Sequence, residues 1–211
     1  HGGAGADYEE VNLGAGGSIV FDLVALGLIM GTLFLAGTLS GFTIVDDRDT
    51  KAIQALAVSP TRVSEYAVAR GLLATALGAA VAAGVNYIMV GRSVSVLRLL
   101  TLAALSGPLS ALVGMVTGLF SHNQITAIAM LKIAMPAYLA IPLGAILVPG
   151  RFQFLFYVLP NYWQMEALKT LYAPSLATHG FWFSALVTLA CSLPFLMMVL
   201  VAFRRRVGLR P

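Results

Sequence analysis

The residues of this sequence that could do chemistry are few, and they do not stand together. Glu166 and Lys169 are three apart, the spacing of an ion pair on a helix surface. His122 and His179 are separated by the length of a long helix and its loops, too far apart to suggest a shared metal site. Cys191 is the one cysteine, so it can form no intrachain disulfide, and it reads as a small apolar residue. The serines have no His and Asp at useful positions, which leaves nucleophilic catalysis without a base. Gly84-Val-Asn-Tyr-Ile-Met-Val-Gly-Arg-Ser93 only approaches the spacing of a phosphate-cradling loop, lacks its Lys, and falls in an apolar stretch. No catalytic, cofactor-binding or metal-ligating set emerges. What remains is charge in apolar surroundings, at Lys132 above all, and a cluster of alternating charge at Asp46–Lys51. Such groups bind and position; they do not make bonds.

The elements that carry these residues follow from composition. Of 211 residues, 59% are hydrophobic and 10% charged, with a mean hydropathy of +0.88. A soluble domain carries about 25% charged residues, so this chain lacks the polar surface to face water. The apolar residues form long blocks without strand-like alternation, which excludes a barrel and leaves helices. Five stretches reach the roughly 20 residues needed to cross a bilayer: Ser18–Val45, Val68–Val90, Leu97–Phe120, Ile125–Val148 and Phe181–Phe203. Arg151–His179 is apolar but interrupted by Pro160 and Pro174. Its core, Phe152–Pro160, is too short to cross, so the segment is expected to be re-entrant or interfacial on the outer side. The fold expected is an all-α integral membrane protein, one transmembrane domain over residues 1–211.

Lys and Arg set its orientation. Arg48, Lys51, Arg62, Arg70, Arg204, Arg205, Arg206 and Arg210 fall on the side of the first loop and the C-terminus. Arg92, Arg98, Arg151 and Lys169 fall on the other, with Lys132 left aside as intramembrane. The positive side faces the cytoplasm, so the net charge of +4 marks topology and not affinity for nucleic acid. The N-terminus would lie outside without a signal peptide before it, and the sequence does not begin with Met. A further N-terminal span preceding His1 is therefore expected, six in all.

Lys132 lies about eight residues into the fourth span, roughly 12 Å deep at 1.5 Å per residue. Snorkelling to the cytoplasmic interface, lining a pathway and meeting a second subunit are all open to it. Asn86 suits an interhelical hydrogen bond or a place on the same pathway or contact. Gly27-x-x-x-Gly31 and Gly114-x-x-x-Gly118 permit close helix approach. Tyr157, Tyr162, Trp163, Tyr172 and Trp182 fall where an outer aromatic belt belongs.

Between the first two spans, Asp46–Pro60 reads as a short cytoplasmic helix. Asp46, Asp47 and Asp49 suit its first turn, Ile53, Leu56 and Ala57 share one face, and Ser59-Pro60 ends it. Periodicity leaves it either a solvated linker or a docking helix for a cytoplasmic partner.

Asp47-Arg-Asp-Thr-Lys-Ala-Ile-Gln-Ala-Leu-Ala-Val-Ser-Pro60, with Tyr66-Ala-Val-Ala-Arg70 after it, resembles the permease subunits of type-2 ATP-binding-cassette exporters, nearest the drug-export (fluoroquinolone) subgroup. Ser121-His-Asn-Gln and the following Lys132 are similar to that family's short cytoplasmic turn. Phe156–Trp163 is similar to its extracellular re-entrant pair. Lys51-Ala52 replace a frequent Gly-Thr, and Asp47 a frequent Glu. The resemblance implies a coupling helix that docks in a groove of a separate ATPase. Asp47, Arg48, Asp49, Lys51, Ile53, Gln54 and Leu56 would serve it, Ile53 and Leu56 as apolar anchors. It also implies a second permease subunit, identical or paralogous, with ATP and Mg held by the partner ATPase and no enzyme activity in this chain. The location would be the cytoplasmic membrane, among lipid, with a drug, lipid or lipid-linked glycan as cargo. The competing reading is a secondary carrier or channel that uses Lys132 and Asp22 as coupling charges.

Overall fold

A computed structural model describes residues 15–50, 63–90, 94–148 and 150–207. Among these residues the chain is helical throughout, without a strand. The helices are α1 (Ala15–Asp49), α2 (Val63–Val90), α3 (Val96–Leu105), α4 (Gly107–Phe120), α5 (Gln124–Leu147), α6 (Pro160–Tyr172) and α7 (Phe181–Val207), with 3₁₀ turns at Gly150–Phe156 and Pro174–Leu176. By length and apolarity α1, α2, α5 and α7 can each cross a membrane, and α3 with α4 can form a fifth, bent span. The all-α membrane fold expected from composition is the fold observed.

α1 is the centre of the bundle. Half of its most apolar stretch is buried, against 11% for α5 and 17% for α7, and it packs on α2, α4, α5 and α6. Its tightest seam is with α4, and glycines make it. A Cβ on Gly41 would lie 2.6 Å from the Thr117 side chain and 2.7 Å from the Gly114 carbonyl; one on Gly114 would lie 2.8 Å from the Gly37 carbonyl. Two helix backbones touch here, which only glycine allows. Gly114-x-x-x-Gly118 has the packing role expected of it, since Gly118 seats Ile44. Gly27-x-x-x-Gly31 does not: Gly27 has nothing within 4 Å, and Gly31 meets only the tip of Met135. The partner motif is instead Gly37-x-x-x-Gly41, ten residues further along α1.

Three expected boundaries shift. The span anticipated over Leu97–Phe120 is broken at Ser106 by a bend of 49°, because Pro108 offers no N–H and disfavours helix in the residue before it. The absence of a side chain at Gly107 lets Thr75 approach the break. Asp46, Asp47 and Asp49 are not the first turn of a separate helix, because α1 continues through Asp49 and ends on them. Carboxylates at a helix C-terminus oppose its dipole, and Arg48 within the same turn offsets them. The element after α5 is also displaced. Phe152–Pro160 is mostly 3₁₀ and turn, and the helix, α6, starts at Pro160. At about 20 Å for its 13 residues, α6 is too short to cross.

The bundle has two ends. At one, Ile44, Ala67, Met115, Leu119 and Phe203 form an apolar cluster, which gathers the end of α1, the start of α2, the end of α4 and the end of α7. At this end, the loop end, α1 stops and α2 begins, on either side of residues 51–62. The far end holds the start of α1 packed with α3, α6 and the start of α7. Replacing Gly41 by Ala should lower the stability of the detergent-purified protein by about 2 kcal/mol through overpacking. Gly27→Ala, with open space around it, should be neutral or raise stability by up to about 1 kcal/mol through helix propensity. Thermal unfolding of the two variants side by side checks the seam.

Candidate functional site

At the loop end, charged side chains tie three helices together. Tyr66 and Arg70 stand one turn apart on α2 and so face the same way. The Tyr66 hydroxyl donates to Asp47 Oδ2 at 2.7 Å, and Arg70 forms an ion pair with the same carboxylate. The Arg70 guanidinium also lies over the Tyr66 ring, 5.3 Å from its centroid, and Ser40 Oγ donates to the Arg70 carbonyl at 3.1 Å. The end of α1 and the start of α2, which bracket residues 51–62, are thereby fastened to each other. Arg48, one residue on, turns to α4 and donates to the carbonyls of Gly118 at 2.6 Å and Ser121 at 3.0 Å. The short turn that follows is capped: Asn123 Oδ1 accepts from the Thr126 N–H at 2.9 Å, while Thr126 Oγ1 accepts from the Asn123 N–H at 3.1 Å.

Of the residues singled out from the sequence, Asp47 and Arg48 are thus engaged within the bundle, and Asp49 is exposed at the tip of α1. Lys51, Ile53, Gln54 and Leu56 lie outside the described residues. Lys132 projects from an exposed face of α5. Asn86 is wholly buried and accepts the Tyr172 hydroxyl at 2.6 Å, an interhelical bond between α2 and α6 inside the protomer.

Sequence reasoning missed a groove of about 330 Å³ between α4 and α5. Phe34 of α1 and Phe195 of α7 line its sides, and Leu159, Pro160 and Asn161 also line it. Its walls are apolar except at Thr117, Tyr138 and Asn161. That volume and polarity suit a small organic ligand. The signal for it lay in Pro136 and Pro142. A proline inside a helix cannot donate to the carbonyl four residues back, and Pro142 leaves that of Tyr138 open. Asn161 Nδ2 fills it at 2.8 Å. The Tyr138 hydroxyl in turn donates to Gln164, so α6 is stitched onto the proline-containing part of α5.

The description "fluoroquinolones export permease protein Rv2686c-like" fits residues 16–202, nearly all of the described helices. The chain belongs to that permease family. The match agrees with the drug-export resemblance carried by Asp47–Pro60 and Tyr66–Arg70. No curated protein matches the chain.

In this permease α6 is an interior helix, which corrects two expectations. Tyr162, Trp163 and Tyr172 are buried at 2%, 5% and 7% exposure, so they are core; Tyr157 and Trp182 are exposed. Glu166 and Lys169 do not form a surface pair. Glu166 is 1% exposed, and Lys169 Nζ donates to it at 2.5 Å. The Thr178 N–H and hydroxyl donate to its other oxygen at 3.1 and 2.7 Å. Burial alone would push this carboxyl up, but the hydrogen bonds from Lys169 and Thr178 outweigh it and hold it below the usual range. The helix hides its charges because α7, α1 and α5 surround it, which no local spacing reveals.

Two outcomes are expected. Asn161→Leu should cost about 2 kcal/mol by leaving the Tyr138 carbonyl unpaired, and in a Pro142→Ala background, where α5 can serve that carbonyl itself, the cost should fall by half or more. A double-mutant cycle of thermal stabilities measures this. Glu166→Gln should cost about 3 kcal/mol at neutral pH. A carboxyl lowered by folding gives stability above its unfolded value near 4.5 and loses it as pH falls through the lower folded value. The wild type should therefore destabilise more steeply than Glu166→Gln below that pH, as read by melting scans between neutral and acidic buffer.

Proposed function

We propose that the chain is the membrane-spanning subunit of an ATP-driven exporter. A separate ATPase docks on the 51–62 loop at the cytoplasmic face and supplies ATP and Mg, and a second permease subunit completes the pathway. The observation that carries this reading is the fastening of both ends of that loop to the bundle, by Asp47 on Tyr66 and Arg70. A solvated linker has no need of such anchorage. A handle does, because a push on it must reach the spans without being absorbed at their ends. Lys51, Ile53, Gln54 and Leu56 make the contact, with exposed Asp49 beside them; Asp47 and Arg48 secure the base.

Cargo of the class named by the family, a flat amphipathic drug, suits the groove between α4 and α5. Its apolar walls would take the ring system, and Tyr138 and Asn161 its polar edge. ATP binding shifts the pair of subunits between inward- and outward-facing states, which requires that the ATPase bind the two states with different affinity. Transport powered by an ion gradient, with Lys132 as the coupling charge, is the alternative that the same experiment addresses.

The full-length chain, co-expressed with its ATPase and reconstituted in vesicles, should export ciprofloxacin only when ATP is supplied. Leu56→Asp should abolish ATPase association. Ala137→Trp should leave association intact and reduce export about tenfold by filling the groove. Export that continues without ATP, or an unchanged complex with Leu56→Asp, overturns the reading.

A further inference from the structure

Arg48 sits in the last turn of α1, just before residues 51–62, yet its guanidinium is taken up within the chain. It reaches the end of α4 and meets acceptors that α4 cannot serve. The last carbonyls of a helix have no intrahelical donor. The Gly118 carbonyl would ordinarily take the N–H of His122, but that N–H goes to Thr126 Oγ1 at 3.0 Å. Arg48 supplies both Gly118 and Ser121 from one rigid fork, with its charge at the negative end of the α4 dipole.

The same short stretch begins α5 through the Asn123–Thr126 capping box, and Gln124 Nε2 donates back to the Phe42 carbonyl of α1 at 3.3 Å. Beneath the guanidinium, Ile44 fills the place where Gly118 has no Cβ, 2.7 Å from where one would stand. The end of α1 therefore cannot slide past the α4–α5 turn without losing charge-assisted bonds and tight packing together. Beyond the turn, α4 and α5 are the two walls of the groove, and α5 is the least buried of the helices able to cross alone.

We infer that Arg48 is a positioning residue that carries displacement of the 51–62 loop to the α4–α5 walls of the groove by bridging α1 to the end of α4, and that it is not a contact for the ATPase. The inference rests on the exporter reading above and adds the route by which the loop reaches the cargo site.

Full-length wild type, Arg48→Lys and Arg48→Met, each co-purified with the ATPase and reconstituted, test it with ciprofloxacin as the probe. Arg48→Met should keep the ATPase bound and hydrolysing, lose stimulation by ciprofloxacin, and export about tenfold more slowly, a loss within the range of couplings carried by side-chain networks. Arg48→Lys, which keeps the charge but not the fork, should recover part of the export. In detergent without the ATPase, amides 119–127 should exchange roughly tenfold faster in Arg48→Met while those of 25–34 stay unchanged. Arg48→Met that exports like wild type, or that releases the ATPase with amide exchange unaltered, overturns this inference alone. A wild-type chain that binds no ATPase overturns the exporter reading, and this one with it.

Discussion

Contact between the backbones of α1 and α4 is the constraint on which the bundle rests. In lipid, burying apolar side chains gains little, because the tails are as apolar as leucine; packing and interhelical hydrogen bonds must hold the helices together. Gly37 and Gly41 on one helix and Gly114 and Gly118 on the other remove the side chains that would keep them apart. The pair then serves as a fixed post. α2 joins it through small residues, a Cβ on Gly71 lying 2.9 Å from that of Ala111 and one on Gly78 lying 3.2 Å from that of Ala36. α7 closes the loop end with Phe203.

A second rule, that backbone polar groups out of water need partners, explains where the polar side chains went. Each place where a helix ends or kinks leaves a carbonyl open. Asn161 answers the one freed by Pro142, Arg48 answers those at the end of α4, and Gln153 donates to Ala145 near the end of α5 at 3.3 Å. These residues join elements far apart in sequence, so satisfying the backbone also fixes the tertiary arrangement. α6 follows the same logic. It is a short helix away from solvent, and its own charges neutralise each other and borrow Thr178 for the rest.

Rigidity is unevenly distributed as a result. α1, α2 and α4 are packed through small residues and pinned at the loop end by Asp47, Arg70 and Arg48. α5 is held by the capped turn at its start, by the stitch from Tyr138 to α6 near its middle and by Gln153 near its end, with Pro136 and Pro142 on either side of Tyr138. A bundle built this way has a densely packed part at the loop end and a sparsely buried wall beside the groove.

The sequence determined alone that this is a helical membrane protein, because long apolar blocks with few charges have no other solution. Asp47–Pro60 with Tyr66–Arg70, followed in order by the Ser121–Lys132 and Phe156–Trp163 segments, led to the permease family whose model covers residues 16–202. Residue type and local spacing were also enough to mark Gly114-x-x-x-Gly118 and the hydrogen-bonding role of Asn86. Partnership belonged to the tertiary structure. Whether Gly27 or Gly37 begins the α1 seam, whether Glu166 faces water or α7, and whether Arg48 points outward or caps α4 depend on which helix lies alongside. The 49° break at Ser106 was written in Gly107-Pro108, but an apolar run on both sides hid it. Periodicity reports which side of a helix is apolar; in a bilayer nearly every side is, so only packing could decide which of them is inside.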